Sequence, residues 1–370
     1  MTVPFFNPEL LASERETLLK SIYEVATDGE QRFILGRRTA EMEKALRDQL
    51  GVGDAIACAS GTGALTLALR ALRIGPGDEV IVPAFGSEPI AGTVLDVGAT
   101  PVFADVDPVA MVIDVADVER LITERTRAVV PAHVFSMMAD MPALTALAAR
   151  HGIEVLEDAA IGQGAVLNGR PAGLWGVLGL YSFFPLKPFG MPGEGAVVLT
   201  NDADLGRRVR MLRNHGQDGV HRFTHHMIGV NSRFDEILAH FQLQRMPELA
   251  QRLEQRALVV DYYTERFTPL RDHGVIAPPF GRDGRCCYVY ALVVAERDRM
   301  RAHLAERGVG SYVHYPVPLP RLAAFAPYAD GGDWPGAERA SAQHLAIPLW
   351  GGMTEAEMTR VADAVCDFVS

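Results

Sequence analysis

Between residue 55 and residue 160, short apolar runs alternate with stretches whose apolar residues recur every three to four positions. Ala55-Ile56-Ala57-Cys58-Ala59, Glu79-Val80-Ile81-Val82-Pro83, Thr100-Pro101-Val102-Phe103, Arg127-Ala128-Val129-Val130-Pro131 and Ile153-Glu154-Val155-Leu156 read as strands. The intervening residues 62–72, with Leu65, Leu69 and Leu72 on one face, read as a helix, as do residues 90–97 and 141–150. Strands apolar on both faces and alternating with helices predict an α/β domain, a mostly parallel sheet with helices on both faces. Such sheets bind ligands at the carboxyl ends of their strands. Ser60, Phe85, His133 and Asp158 each fall just past a predicted strand end.

A helical stretch over residues 235–267 leads into a smaller α+β C-terminal domain. There the pattern predicts a strand at 287–294, a helix at 298–307, a short strand at 310–313 and a final helix at 355–368. Pro316, Pro318 and Pro320 interrupt regular structure between them. The expected division is a large domain with the N-terminal segment over 1–245, then a connecting helix and small domain over 246–370.

Composition narrows the function classes. The 370 residues carry a formal charge of −11, which argues against nucleic acid as a partner. Cys58, Cys286, Cys287 and Cys366 show neither Cys-x-x-Cys nor zinc spacing and read as reduced thiols of a cytoplasmic protein, with no metal expected. No apolar run approaches the ~20 residues of a membrane span. Met1-Thr2-Val3-Pro4-Phe5-Phe6-Asn7 lacks the basic-then-apolar pattern of a signal peptide.

The chemistry concentrates around Lys187, which ends Tyr181-Ser182-Phe183-Phe184-Pro185-Leu186-Lys187. Among aromatics a lysine is partly desolvated, which favours its nucleophilic amine. Upstream, Asp158 ends an apolar strand, and a buried carboxylate needs a partner. A lysine that forms a Schiff base and an aspartate that pairs with a pyridinium nitrogen are what a pyridoxal phosphate site requires. The plainer readings are a solvated surface lysine and a structural aspartate. Ser60-Gly61-Thr62-Gly63-Ala64 sits between a strand and a helix, where backbone N–H groups can hold a phosphate; it also reads as a plain tight turn. A nicotinamide site would want an acidic residue after the next strand, which ends instead in Val82-Pro83-Ala84-Phe85. His133 reads either as pocket lining or as a hydrogen-bonded core histidine. His314-Tyr315-Pro316 reads as a proline-held loop able to reach a substrate.

Together these motifs resemble the DegT/DnrJ/EryC1/StrS family of pyridoxal phosphate-dependent sugar and aminocyclitol aminotransferases, of fold type I. The resemblance rests on Phe33-Ile34-Leu35-Gly36, Ser60-Gly61-Thr62, residues 75–83, Glu157-Asp158-Ala159-Ala160, residues 182–187, Arg213-Asn214-His215-Gly216, Asn231-Ser232-Arg233 and His314-Tyr315-Pro316. It implies that Lys187 carries the cofactor, Asp158 holds its ring nitrogen, and Thr62, Gly61, Gly63 and Ser182 bind its phosphate. Asn231 would reach the phosphate of the neighbouring subunit's cofactor, giving a homodimer with shared sites. His314 and Tyr315, with Arg233 and His133 as candidates, would face the substrate. The implied reaction moves an amino group from glutamate or glutamine to a keto-sugar, nucleotide-linked, or to an aminocyclitol precursor.

Four positions depart from the family pattern. Ser87 stands where an aromatic usually stacks on the cofactor ring, and Ile161 where a glutamine lies near its phenolic oxygen. Pro188 replaces an asparagine after the lysine, and Pro320 a histidine in the substrate loop. These changes keep two alternatives in view: a sugar dehydratase or lyase on the same scaffold, and a non-catalytic binding protein. Family dehydratases carry histidine in place of this lysine, so Lys187 speaks against the first. The pairing of Lys187 with Asp158 speaks against the second.

Overall fold

The computed structural model describes residues 2–7, 11–221, 223–279, 281–329 and 331–369. Its central sheet contains the five predicted strands, β1 (Asp54–Cys58), β2 (Glu79–Pro83), β3 (Thr100–Ala104), β4 (Thr126–Val129) and β5 (Glu154–Asp158). After a two-residue ribbon, β6 (Val166–Leu167) and β7 (Arg170–Pro171), the chain adds β8 (Leu178–Ser182) and β9 (Ala196–Thr200), neither of which the pattern had flagged. The order is β1-β9-β8-β5-β4-β2-β3. Among the described strands of this sheet only β9 runs against the rest. β2, β8 and β9 are buried at every position, the signature of a sheet covered on both faces.

The helices of the large unit are α1 (Arg15–Ala26), α2 (Arg37–Leu50), α3 (Gly61–Ala71), α4 (Pro89–Asp96), α5 (Val115–Leu121), α6 (Met141–His151), α7 (Ala203–Leu212) and α8 (Glu236–Arg245). Side chains that sequence alone marks as helix starters cap several of them: Ser60 accepts from Gly63 N–H, Asp140 from Ala143 N–H, and Asp202 from Asp204 and Leu205 N–H.

The long helix expected over 235–267 is two helices. α8 ends at Arg245, a 3-10 turn spans Met246–Glu248, and α9 (Leu249–Phe267) follows. Pro247 lies in that turn, where its missing N–H and fixed φ end the helix. The C-terminal unit holds α10 (Arg297–Glu306), α11 (Pro335–Gln343) and α12 (Glu355–Cys366) on an antiparallel sheet of β10 (Val275–Ile276), β11 (Tyr290–Val294) and β12 (His344–Ile347). The strand expected at 310–313 is absent. Val309 and Tyr312 make isolated bridges to different partners, Val3 and Ala346, so no ladder can propagate.

Among the described residues there are two hydrophobic cores, and the chain crosses between them at both ends. Val3 packs in the C-terminal core, while Phe325, Trp334 and Ala337 pack in the large one. The 246–370 portion therefore wraps back over the carboxyl edge of the main sheet.

A buried carboxylate ties α8 to the start of α2. Glu236 accepts from the N–H groups of Gly36, Arg38 and Thr39 at 2.7, 2.8 and 2.9 Å, and from the Thr39 hydroxyl. A Cβ at Gly36 would lie 2.7 Å from Glu236 Oε2, so the carboxylate's approach requires glycine there. Glu236→Ala is expected to cost about 3 kcal/mol of stability, since it strands several buried donors. Urea unfolding would report this as a lower midpoint with an unchanged slope; a loss below about 0.5 kcal/mol would contradict it.

Candidate active site

Register brings the predicted site residues to one edge. Cys58, Ala196 and Ser182 pair across β1, β9 and β8, so the turn after β1 lies beside the end of β8. A Cβ on Gly61 would come 3.5 Å from Ser182 Oγ, and one on Gly63 would come 3.0 Å from Ser232 Oγ. Ser232 is held there by Ala59 N–H, which donates to its carbonyl and hydroxyl oxygens. The N–H groups of Gly61 and Thr62 donate to nothing among the described residues. The result is a cradle of free N–H groups and hydroxyls at a helix N-terminus, dimensioned by two glycines. Those features fit a phosphate.

One strand over from β8, Asp158 ends β5 and is buried. Its Oδ1 accepts from Ala160 N–H at 3.0 Å, the one hydrogen bond its carboxyl receives among the described residues. Burial raises its affinity for the proton, and the Ala160 N–H bond and then the nearby Lys187 partly oppose this. A buried carboxyl with spare acceptor capacity, facing a lysine, fits a cationic ring nitrogen.

Lys187 sits in a turn closed by its N–H to Phe184 O and by Gly190 N–H to its own carbonyl. Burial lowers its ammonium to about 8, against the opposing pull of Asp158 and then Glu194. Nζ lies 4.5 Å from the centre of the Tyr288 ring, which steadies the residual ammonium. The reactive free amine should therefore appear with a midpoint near pH 8 rather than at the ordinary 10.5. Labelling Lys187 with an amine-reactive acylating reagent from pH 6 to 11, read by peptide mass, should rise with pH through that midpoint. A rise centred above pH 10 would contradict the desolvated setting.

Gln163 grips the same loop, its Oε1 accepting from Phe189 N–H at 3.1 Å. Ile161, which stands where the family pattern has a glutamine, is packed in the large core and presents no polar atom. Ser87 faces the Tyr315 hydroxyl. The aromatic surface that Ser87 lacks is present nearby: Tyr315 stacks on Phe135 at 5.9 Å and meets Phe85 edge-on at 5.6 Å. Tyr315 holds φ at +51°, a left-handed turn that aims its side chain at this cluster. His314 is next to it. Burial, then His344 and Lys187, push its imidazolium down to about 4, so the ring is neutral at ordinary pH, and its buried Nδ1 has no partner among the described residues.

His133, read from sequence either as pocket lining or as a hydrogen-bonded core histidine, is buried and hydrogen-bonded. Its side chain and that of Glu157 have no exposed surface. Ala139 N–H donates to Nδ1 at 3.2 Å, so the neutral ring carries its proton on Nε2, which donates to Glu157 at 2.7 Å. Glu157 also accepts from the N–H groups of Gly173 and Trp175. Asn231 and Arg233 pair with each other: Arg233 Nε donates to Asn231 Oδ1 at 2.9 Å on the surface. Tyr288 is a site residue that sequence reasoning missed; nothing in Cys286-Cys287-Tyr288 points to a lysine a hundred residues earlier. Among the described residues no acidic, histidine or cysteine cluster could hold a metal, and no helix is long and apolar enough to cross a membrane.

With this geometry in view, comparison with known proteins gives concordant matches. A model of the DegT/DnrJ/EryC1/StrS aminotransferase family matches residues 13–366. The UDP-N-acetyl-3-dehydro-alpha-D-glucosamine 3-aminotransferase of Acidithiobacillus ferrooxidans is 38% identical over 351 residues, 95% of this chain and 93% of that one. A protein of Geobacillus stearothermophilus named pleiotropic regulatory protein is 36% identical over 373 residues, 100% of this chain and 99% of its own. The crystal structure of S. venezuelae DesV superposes with a TM-score of 0.93 at 34% identity, covering 100% of this chain and 99% of that one.

Proposed function

Since the chain belongs to the DegT/DnrJ/EryC1/StrS aminotransferase family, we propose that this transaminase moves an amino group from glutamate or glutamine to the ketone of a nucleotide-linked sugar or a related cyclitol precursor. The setting would be secondary-metabolite or surface-sugar biosynthesis in the cytoplasm. The carrying observation is Lys187, an amine brought to about 8 by burial, within electrostatic reach of the buried Asp158.

Pyridoxal phosphate, when bound, supplies an aldehyde that captures amines and a ring that accepts an electron pair. Asp158 would hold its ring nitrogen. Gly61, Thr62, Gly63 and Ser182 would hold its phosphate. Lys187 Nζ, as free amine, would take the proton from the donor's α-carbon and, as ammonium, return one on the other side of the reaction. Neutral His314 and the Tyr315 hydroxyl would orient sugar hydroxyls without adding charge. Asn231 of one subunit would reach the phosphate held by its partner, making a homodimer with shared sites.

The test is a panel of UDP-, GDP- and dTDP-linked keto-sugars with glutamate or glutamine, followed by mass spectrometry. An amino-sugar is the expected product. Conversion of a keto-sugar to a deoxy product without amino transfer would contradict the reading.

A further inference from the structure

A cavity of about 450 Å³ opens beside Lys187, and none of the residues at the α3 N-terminus lines it. One face of α9 supplies part of its wall, with Gln251, Arg252, Gln255 and Arg256 at i, i+1, i+4 and i+5. The N-terminal segment at Phe5 and Phe6 and the approach to β11 at Tyr288 supply the rest of the frame.

Among the described residues, four cations line this cavity, Lys187, Arg245, Arg252 and Arg256, against the carboxylates of Glu14 and Glu248. Arg245 and Arg252 are both engaged by Glu14, at 2.9 and 2.6 Å, and Arg252 also by Glu248 at 2.9 Å. Arg256 has no carboxylate among the described residues. Its bonds are two long ones from Nη1, to the carbonyls of Cys287 at 3.3 Å and Tyr288 at 3.4 Å. Burial destabilises its charged form, and among the described residues the opposing influences are those of Tyr288 and Cys287, with no carboxylate beside them. It acts electrostatically on Tyr288, the residue whose ring carries the Lys187 amine at 4.5 Å. A guanidinium with no carboxylate among the described residues thus stands one tyrosine away from Lys187 Nζ, on a chain whose overall charge is −11.

We propose that Arg256 is an anion subsite of the Lys187 cavity, taking an oxyanion, carboxylate or phosphate, of one of the two substrates. A guanidinium fork matches either group bidentately, and a ligand oxyanion would supply the missing countercharge. The two sources are the distal carboxylate of a dicarboxylate amino donor and the diphosphate of a nucleotide-linked acceptor. The subsite rests on the aminotransferase reading for its purpose, but its binding can be measured without turnover.

The experiment compares holoenzyme carrying Arg256→Met with wild type in the two half reactions, and measures calorimetric binding of glutarate and of inorganic pyrophosphate. Losing a charge-assisted pair should raise the half-saturation for one substrate on the order of 10- to 100-fold, with its limiting rate little changed. A carboxylate source predicts that the effect falls on glutamate and on glutarate binding. A phosphate source predicts that it falls on the keto-sugar nucleotide and on pyrophosphate. Arg256→Lys, which keeps the charge, should recover part of the same constant. It also serves as the test if the methionine variant fails to fold. Half-saturation values within two-fold of wild type for both substrates would overturn the proposal. So would an equal loss in both half reactions accompanied by a lower melting temperature, because that pattern marks a structural arginine. If wild type transfers no amino group yet binds glutarate or pyrophosphate through Arg256, the subsite stands and the aminotransferase reading fails.

Discussion

Lys187→Ala is expected to reduce transamination at least about 10³-fold, because it would remove the amine proposed as both nucleophile and proton carrier. No other group stands ready to replace it. Among the charged and titrating neighbours of Lys187, Asp158 and Glu194 are carboxylates, while His314 is held neutral with its imidazolium near 4. The Tyr288 phenol, pushed up to about 12 by burial, is a poor base at neutral pH. An added small primary amine should restore part of the rate in the alanine variant, since the cavity beside Lys187 can admit it. Steady-state assay with and without such an amine checks both statements. A variant within ten-fold of wild type would mean that the proton moves through a different residue.

Asp158→Asn is the second large effect. The amide keeps the size and the Ala160 hydrogen bond but removes the negative charge buried opposite Lys187. A neutral group cannot hold a cationic ring nitrogen, so kcat should fall on the order of 10²- to 10³-fold, the scale of losing one preorganised electrostatic contact. The same change removes the main attraction that supports the Lys187 ammonium, so the labelling midpoint of Lys187 should move below about 8. That second readout separates the charge effect from a folding defect, because misfolding would expose the lysine and send the midpoint upward. A kcat loss under five-fold with an unmoved midpoint would remove Asp158 from the central role.

The edge of the sheet was legible because its signals are local. Apolar runs with helical periods between them locate β1 to β5, and Ser60 and Asp158 fall at strand ends that the register across β1, β9, β8 and β5 gathers. β8 and β9 were missed although they are buried throughout; Tyr181-Ser182 and the glycines around them blur the apolar run. The structural role of His133 had a usable signal. Adjacent strand residues point to opposite faces, so Glu157 and Asp158 cannot serve one site. Glu157 turns to His133 and the backbone of Gly173 and Trp175, leaving Asp158 to face Lys187. The placement of Tyr288 and Arg256 was not legible, because the folding of α9 and the approach to β11 brings them to the cavity beside Lys187, a tertiary fact without local pattern. The Ser87 departure reads differently once folded: Phe85, Phe135 and Tyr315 form an aromatic wall drawn from three separate segments.

The most direct test of the central claim is the absorption spectrum of the purified protein with pyridoxal phosphate, before and after adding glutamate or glutamine. Lys187 and Asp158 acting as argued predict a visible band that one of these donors converts to the pyridoxamine form, and that Lys187→Ala never shows. A wild-type band that neither donor alters, or no band at all, would contradict the account.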